Sequence, residues 1–478
     1  MSWASPGAGN GLPLMTGPLS LYLSPTGSDT NSGTASSPLA TFAGVRNLLR
    51  STYREIGYTV TVNPAAGNYA AGPVITGLTF VPADENLPCG IFVNGPWATV
   101  TPTTGSATGT LTSVTAGTSA PAVPTVVTDS GASWTVNDFA DKFLAVNGNY
   151  WPIVSNTATT ITLAGPFTVT TSTYAIQEGA CVITGSSAVT PPIPAGGATQ
   201  ATPRQACMIV HSNYMARFPG TLGTPGCQIR IEGIKVSPST AGAGYVGAFV
   251  CGSPVIINRC FLGGTASSGS RAEIYMDGGR SLVTNSIVKV NASGNGILLG
   301  GPGTFNGDGN LFTSYASGGV ALGVGSLASG SNLICSANSC TIKSYSTAGI
   351  NIASQAVLSL AGTTISVGGQ GLRSRLADGS VGNIFINANG LDISNSSSAA
   401  IDFTGPITLQ AAQVTGGTNT TGWSLAQGSR MKVASTCTLT GTTEVSLDGT
   451  GTTLAAMRAG VPKVLPAVAS PYGTAIWE

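Results

Sequence analysis

The sequence predicts an all-β protein wound as a right-handed parallel β-helix, with an N-terminal capping helix and a small inserted β module. Three observations carry this expectation. Among 478 residues there are 66 glycines and only 8% charged side chains, where an average domain carries about 25%. In the second half a polar corner residue recurs, followed two positions later by an apolar one. A second recurring pattern, glycine followed by apolar residues, runs at a similar period. Such repeats of one supersecondary unit are the mark of a solenoid.

The composition excludes other classes. No apolar run approaches the ~18 residues that would span a bilayer, so no membrane partner is expected. Disorder couples low hydrophobicity to high net charge, whereas this chain is 42% hydrophobic with a formal charge of +1. Its 19 basic residues are scattered among 18 acidic ones, without the basic stripe that nucleic acid requires. The opening residues Met1, Ser2, Trp3, Ala4, Ser5 and Pro6 lack the basic and apolar regions of a signal peptide.

The N-terminal region, 1–57, reads as an arm, a strand and a cap. Residues 21–34 run Leu-Tyr-Leu-Ser-Pro-Thr-Gly-Ser-Asp-Thr-Asn-Ser-Gly-Thr, a short strand entering a polar loop. Ser37 suits an N-cap and Pro38 a first helical position. Leu39, Phe42, Val45 and Leu49 follow helical spacing and present one apolar face. A solenoid needs such a cover, because a bare terminal coil exposes unpaired strand edges. The first coils are expected over 58–98, beginning at Tyr58.

The strand, the polar loop and the proline-initiated helix together resemble the opening of pectate-lyase-like β-helices, a form common among bacteriophage tailspikes and related virion proteins. The resemblance implies the fold. It does not select an activity, because lyases, hydrolases and inert rods share that opening.

The main β-helix is expected over 184–445. Its corners are Glu232, Asn258, Asn285, Asn310, Asn332, Thr363, Asn389, Ala412 and Ser435. The residues two further on, expected inside, are Ile234, Cys260, Ile287, Phe312, Ile334, Ile365, Leu391, Val414 and Cys437. Asparagine tolerates left-handed backbone and bonds locally, so Asn258, Asn285, Asn310, Asn332 and Asn389 are read as a structural ladder. Ile287, Phe312 and Ile334 should form one inward column. Gly296, Gly319, Gly349, Gly371 and Gly422 are read as the start of successive coils.

Residues 99–183 break this pattern. A Thr/Gly/Ser/Pro-rich stretch leads to alternating segments around Trp134 and over 150–163, which suggest a small antiparallel barrel or sandwich inserted in the rod. The segment resembles a β module that recurs in phage structural proteins. The tail, 446–478, reads as a last turn or short helix followed by an extended piece with Pro462, Pro466 and Pro471.

The nine cysteines form no Cys-x-x-Cys pair, and His211 is the sole histidine, so no zinc site is expected. The thiols read either as buried hydrophobes or as disulfides, with Cys335 and Cys340 the pair best placed for a local bridge. Carboxylates were sought as glycosidase pairs. Asp392 with Asp402, Glu273 with Asp277 beside Arg280, Asp308, and Asp84 with Glu85 are the candidates. Turn chemistry is the preferred reading of each. No Ca²⁺-type acidic cluster and no phosphate loop appear in the sequence, and no catalytic residue, cofactor or metal is expected.

These readings point to a non-enzymatic structural component of a bacteriophage or phage-like virion, either a capsid decoration or a tail spike or fibre. Two other classes stay open: a tailspike depolymerase that cleaves bacterial surface polysaccharide, and a secreted adhesin. The low charge of the lateral surface suggests self-association, and the resemblance implies a homotrimer. Other virion proteins, and a host surface glycan, are the remaining partners expected.

Overall fold

A computed structural model describes residues 11–83, 89–184, 208–214, 228–237, 246–251, 255–263, 272–276, 279–290, 295–299, 303–314, 318–324, 333–343, 345–353, 355–366, 368–374, 384–404, 407–426, 430–433, 438–448, 453–456 and 474–477. The fold is the expected parallel β-helix. Each coil contributes three strands, and like strands of successive coils pair in parallel. The first ladder is a 14-stranded sheet from Leu19–Leu23 to Thr474–Trp477. The second is built of short strands such as Cys181–Ile183, Ile287–Val290 and Asp392–Ser394. The third uses longer ones such as Gly318–Val324 and Ala399–Thr404. Second and third ladders join in one 20-stranded sheet.

Period-two alternation decides which side chains enter the core. In the first ladder Ile229, Val255, Ser281, Phe305, Cys335, Leu358, Ile386 and Leu409 lie in register and all are buried. In the second, Val288, Phe312, Ile342, Ile365 and Ile393 form the inward column.

Two members of the expected inward column are therefore misplaced. Ile287 is buried, but it pairs with Leu311 on the outer surface, beneath the inserted module. Ile334 is 58% exposed and lies between Thr304 and Val357 on the outside of the first ladder. The bend between first and second ladders in its coil is at 337–340, after Ile334 rather than before it, and the wrong phase turns every inference about facing over. Asn332 lies outside the described residues. The glycines Gly296, Gly319, Gly349, Gly371 and Gly422 all belong to third-ladder strands.

The helix runs Phe42–Thr52, later than the Ser37–Pro38 start. Its N-cap is Thr41, whose hydroxyl accepts from the Gly44 amide at 2.9 Å. Asp29, from the polar loop, fixes that cap. Its carboxylate accepts from the amides of Ala40 (3.0 Å) and Thr41 (2.9 Å) and from the Thr41 hydroxyl (2.6 Å). Leu39 is buried and bridges to Leu23 instead of opening the helix. A β-carbon on Gly44 would meet the Asp29 Oδ1 at 2.1 Å. Gly44→Ala should therefore lower the melting temperature of the full chain, although alanine is favoured over glycine inside a helix by about 1 kcal/mol. A rise in melting temperature would show that the Asp29 clamp is dispensable.

Residues 97–179 form the inserted module, an eight-stranded antiparallel sheet. Its own core contains Val127, Trp134, Phe139, Leu144, Ile153, Ile161 and Ile176. The chain rejoins the second ladder at Cys181–Ile183. At the other end of the chain, the strands Thr453–Ala456 and Thr474–Trp477 extend the first ladder. Thr453–Ala456 is a strand within the stretch read as a last turn or short helix, and Thr474–Trp477 falls in the piece read as extended.

Candidate functional site

The corners between first and second ladders are the most ordered chemistry in the rod. From the coil of Arg259 onward, a residue with positive φ turns the chain at each described corner: Arg259, Asn285, Gly309, Ser339, Gly362, Gly390 and Gln413. The next residue is buried in every case: Cys260, Ser286, Asn310, Cys340, Thr363, Leu391 and Val414. Polar members of this buried column satisfy the backbone of the coil before. Ser286 Oγ accepts from the Cys260 amide at 3.1 Å, Asn310 Oδ1 from the Ser286 amide at 2.9 Å, and Thr363 Oγ1 from the Cys340 amide at 3.3 Å.

Of the expected asparagine ladder, Asn285 occupies a left-handed corner position and Asn310 the buried column. Asn258 is the last residue of its strand, where its amide donates to Glu232 at 2.8 Å. Asn389 ends its strand exposed. The five therefore do not form one ladder. The residue types at the buried column differ (Cys, Ser, Asn, Cys, Thr, Leu, Val), which is why counting asparagines found only part of it.

Cys335 and Cys340 are free thiols, both buried, not a bridge. Cys335 faces the core from the first ladder. Cys340 belongs to the corner column, where its thiol donates to the Gly307 carbonyl at 3.0 Å. Burial pushes the Cys340 thiol up to about 12, and Cys335 is raised further by the same cause. Both are protonated and unreactive at neutral pH.

The module is fastened along these corners. A β-carbon on Gly179 would meet the Gly233 carbonyl oxygen at 2.6 Å. One on Gly165 would meet the Ser339 carbonyl oxygen at 2.4 Å, and one on Gly390, whose φ is +72°, the Ser119 carbonyl oxygen at 2.0 Å. The module thus lies along the rod from the coil of Gly233 to that of Gly390. Phe143, Ala164, Phe261, Ile287 and Leu311 make the apolar part of the seam. Arg259 and Trp97 both pack on Tyr150.

Charge concentrates at one place in this seam. Glu178 of the module accepts from Lys142 and from Lys235 of the rod, both at 2.7 Å. Asp141 of the module pairs with Lys289 of the rod at 2.7 Å, and Lys343 donates to the Val154 carbonyl at 2.8 Å. Asp141, Lys142, Glu178, Lys235 and Lys289 line a cleft of about 260 Å³ together with Phe143, Phe261 and Ser237. Burial works to raise the Glu178 carboxyl, but the hydrogen bonds from Lys142 and Lys235 outweigh it and hold the group below the usual range. A depressed carboxylate contributes stability above its ordinary pKa of about 4.3 and loses that contribution as the pH falls through its folded value. Protection of the seam against hydrogen exchange should therefore fall as the pH is lowered from 6 towards 3. In Glu178→Gln that part of the pH dependence should vanish; its persistence would mean that another group fastens the module. Sequence reasoning missed this cluster because its bonded partners lie as far as 189 positions apart in the chain.

The carboxylates picked from the sequence are not brought together. Asp392 and Asp402 belong to one coil but to different ladders. Burial raises the Asp392 carboxyl, partly opposed by a hydrogen bond from Thr415. Asp402 accepts from the Gln370 amide at 2.6 Å. Asp308 accepts from the Asn338 amide at 2.8 Å, a turn contact. Glu273 and Arg280 lie in successive first- and third-ladder strands, while Asp277, Asp84 and Glu85 lie outside the described residues. His211 lies in the strand Met208–Tyr214.

A second feature is on the outside of the first ladder. Ile334, Val357 and Phe385 lie side by side, 58%, 50% and 39% exposed. A polar row, Asn306, Ser336, Ser359 and Asn387, runs beside them in register, and the two rows edge a shallow groove.

No family model and no curated protein matches this chain. Solved structures with a similar course include the tailspike protein gp49 from Pseudomonas phage LKA1, at 12% identity over 91% of this chain and 76% of that one, with a TM-score of 0.36. The tailspike gp61 of Pseudomonas phage phi297 matches at 10% identity over 89% and 74%, with a TM-score of 0.21. XylC in complex with xylose matches at 11% identity over 84% and 70%, with a TM-score of 0.33. Phage tailspikes and a protein solved with xylose both stand among the structures similar to this chain.

Proposed function

We propose that this chain is a structural component of a bacteriophage or phage-like virion, displayed as a capsid decoration or a tail spike, and that its work is mechanical. The supporting observation is the use made of its carboxylates. Asp29 clamps the cap, Asp308 caps a corner, Asp402 holds Gln370, and Asp141 and Glu178 dock the module. Within the module, Asp129 accepts from the Tyr174 hydroxyl and Asp138 from the Thr103 amide. These acids are built into the frame of a rod.

A depolymerase is the second reading, and Asp392 is the observation that favours it. A carboxyl raised by burial is suited to general acid catalysis. The test is incubation of the purified chain with capsular polysaccharide and lipopolysaccharide, followed by assay of reducing ends and unsaturated sugars. No product is expected. Turnover that disappears in Asp392→Asn or Glu273→Gln would establish the enzyme and overturn the mechanical reading.

A further inference from the structure

We infer that the outer face of the first ladder is where a second copy of this chain docks, with Ile334, Val357 and Phe385 at the centre of the contact. The inference rests on the structural reading above, from which side-by-side rods follow, and it names the face.

The three ladders offer three lateral faces, and they are not equivalent. The second ladder is covered: Phe261, Ile287, Leu311, Lys289 and Lys343 meet the inserted module. The third ladder bears a polar net. Arg373 donates to Asn351 at 2.9 Å and to Gln370 at 3.3 Å, and Gln370 donates to Asp402 at 2.6 Å, across coils in register. Such a surface is already satisfied among its own groups and by water. The first ladder bears the exposed apolar stripe.

Of the seven large hydrophobic residues exposed among the described ones, four are on the first ladder: Tyr22, Ile334, Val357 and Phe385. Leu282 and Ile256, half-buried on the same outer face, stand in the register column of Asn306 and Ser336, towards the N-terminal coils. Uncharged Asn306, Ser336, Ser359 and Asn387 flank the stripe. Arg280 and Arg430 occupy the same register column as the stripe at its two ends. An apolar centre bounded by polar and charged positions is the anatomy of a protein interface.

The size fits a copy of the rod. Strands stand about 4.8 Å apart and rise about 3.3 Å per residue. A 14-stranded ladder with a face four residues wide thus offers about 800 Å², the share of each partner in a standard interface. The coil spacing supplies the match as well. Side chains repeat at the same interval along both copies, so one flat face meets another in register. Closed rotational symmetry then leaves no open fibre end.

Native mass spectrometry and sedimentation of the full chain at micromolar concentration test this. The wild type should be a multimer, with a trimer the expected closed form. Val357→Lys places a charge at the centre and should weaken association at least a hundredfold, giving single chains. Val136→Lys, on the module, should leave the multimer intact. A cooperative melt close to that of the wild type shows that the variant is folded; if Val357→Lys fails this, Phe385→Ser is read in its place. A multimer that survives both substitutions overturns the inference. So does a wild type that remains single, or one that associates only when polysaccharide is added. Whether the chain belongs to a virion is judged separately, by protein analysis of purified particles.

Discussion

Phe312→Ala is expected to destabilise the chain by about 3–5 kcal/mol, the cost of emptying a large aromatic site in a closed core. Phe312 is fully buried between Val288 and Ile342 in the inward column of the second ladder. The coils before and after it are held in register by their own backbone bonds, so they cannot collapse into the space. Ile334→Ala supplies the contrast. Ile334 is on the outside, and truncating it in the isolated chain should change stability by no more than about 0.5 kcal/mol. Denaturant unfolding of the two variants, followed by circular dichroism, measures both. Equal losses would mean that the inward and outward rows have been exchanged.

Asn310→Leu should be nearly as damaging, for a different reason. The side chains are similar in size, so no large cavity forms. What is lost is the amide, which accepts from the Ser286 backbone N–H at 2.9 Å and donates to the carbonyls of Val283 (2.5 Å) and Gly307 (2.7 Å). All of these groups are buried, and each one stranded costs about 1–3 kcal/mol. The expected loss is about 3–5 kcal/mol, read as a lower unfolding midpoint with faster exchange of the Ser286 amide. A variant as stable as the wild type would show that the corner column is held by packing alone.

These two residues also show how much could be read from the sequence. Solenoid architecture was legible because composition and period are global properties, and neither depends on the phase of a single coil. The inward position of Phe312 was legible because Asn310 stands just after the left-handed residue of its corner, Gly309. Ile287 was not, because Asn285 is itself the left-handed residue, and Ile334 was not, because it lies in the first-ladder strand before the bend at 337–340. A rule that counts from asparagine slips by one where the left-handed position passes from Asn285 to Gly309 or Ser339, and one step reverses inside and outside.

The module was visible as a break in the repeat, but its seat on the rod was not. Lys235, Lys289 and Lys343 are isolated lysines in the sequence. Only the coil stacking places them on one face, opposite Asp141, Lys142 and Glu178. Likewise Gly390 reads as a turn glycine, and nothing local reveals that Ser119, far away in the chain, approaches it too closely for a side chain. The capping helix was anticipated on its apolar face, while its start was misjudged. Proline at 38 is compatible with a first turn, but the clamp of Asp29 on Ala40 and Thr41 sets the cap at Thr41, four residues beyond Ser37.

The most direct test of a side-by-side structural rod is a cryo-electron microscopy reconstruction of the particle that carries this protein. The expected density shows copies related by rotational symmetry about an axis parallel to the rods. The first-ladder faces, with Val357 and Phe385, should turn towards one another, and the modules of residues 97–179 should project outwards from the second ladder. A single rod with Ile334, Val357 and Phe385 facing solvent would contradict that arrangement, as would an axis lined by the modules.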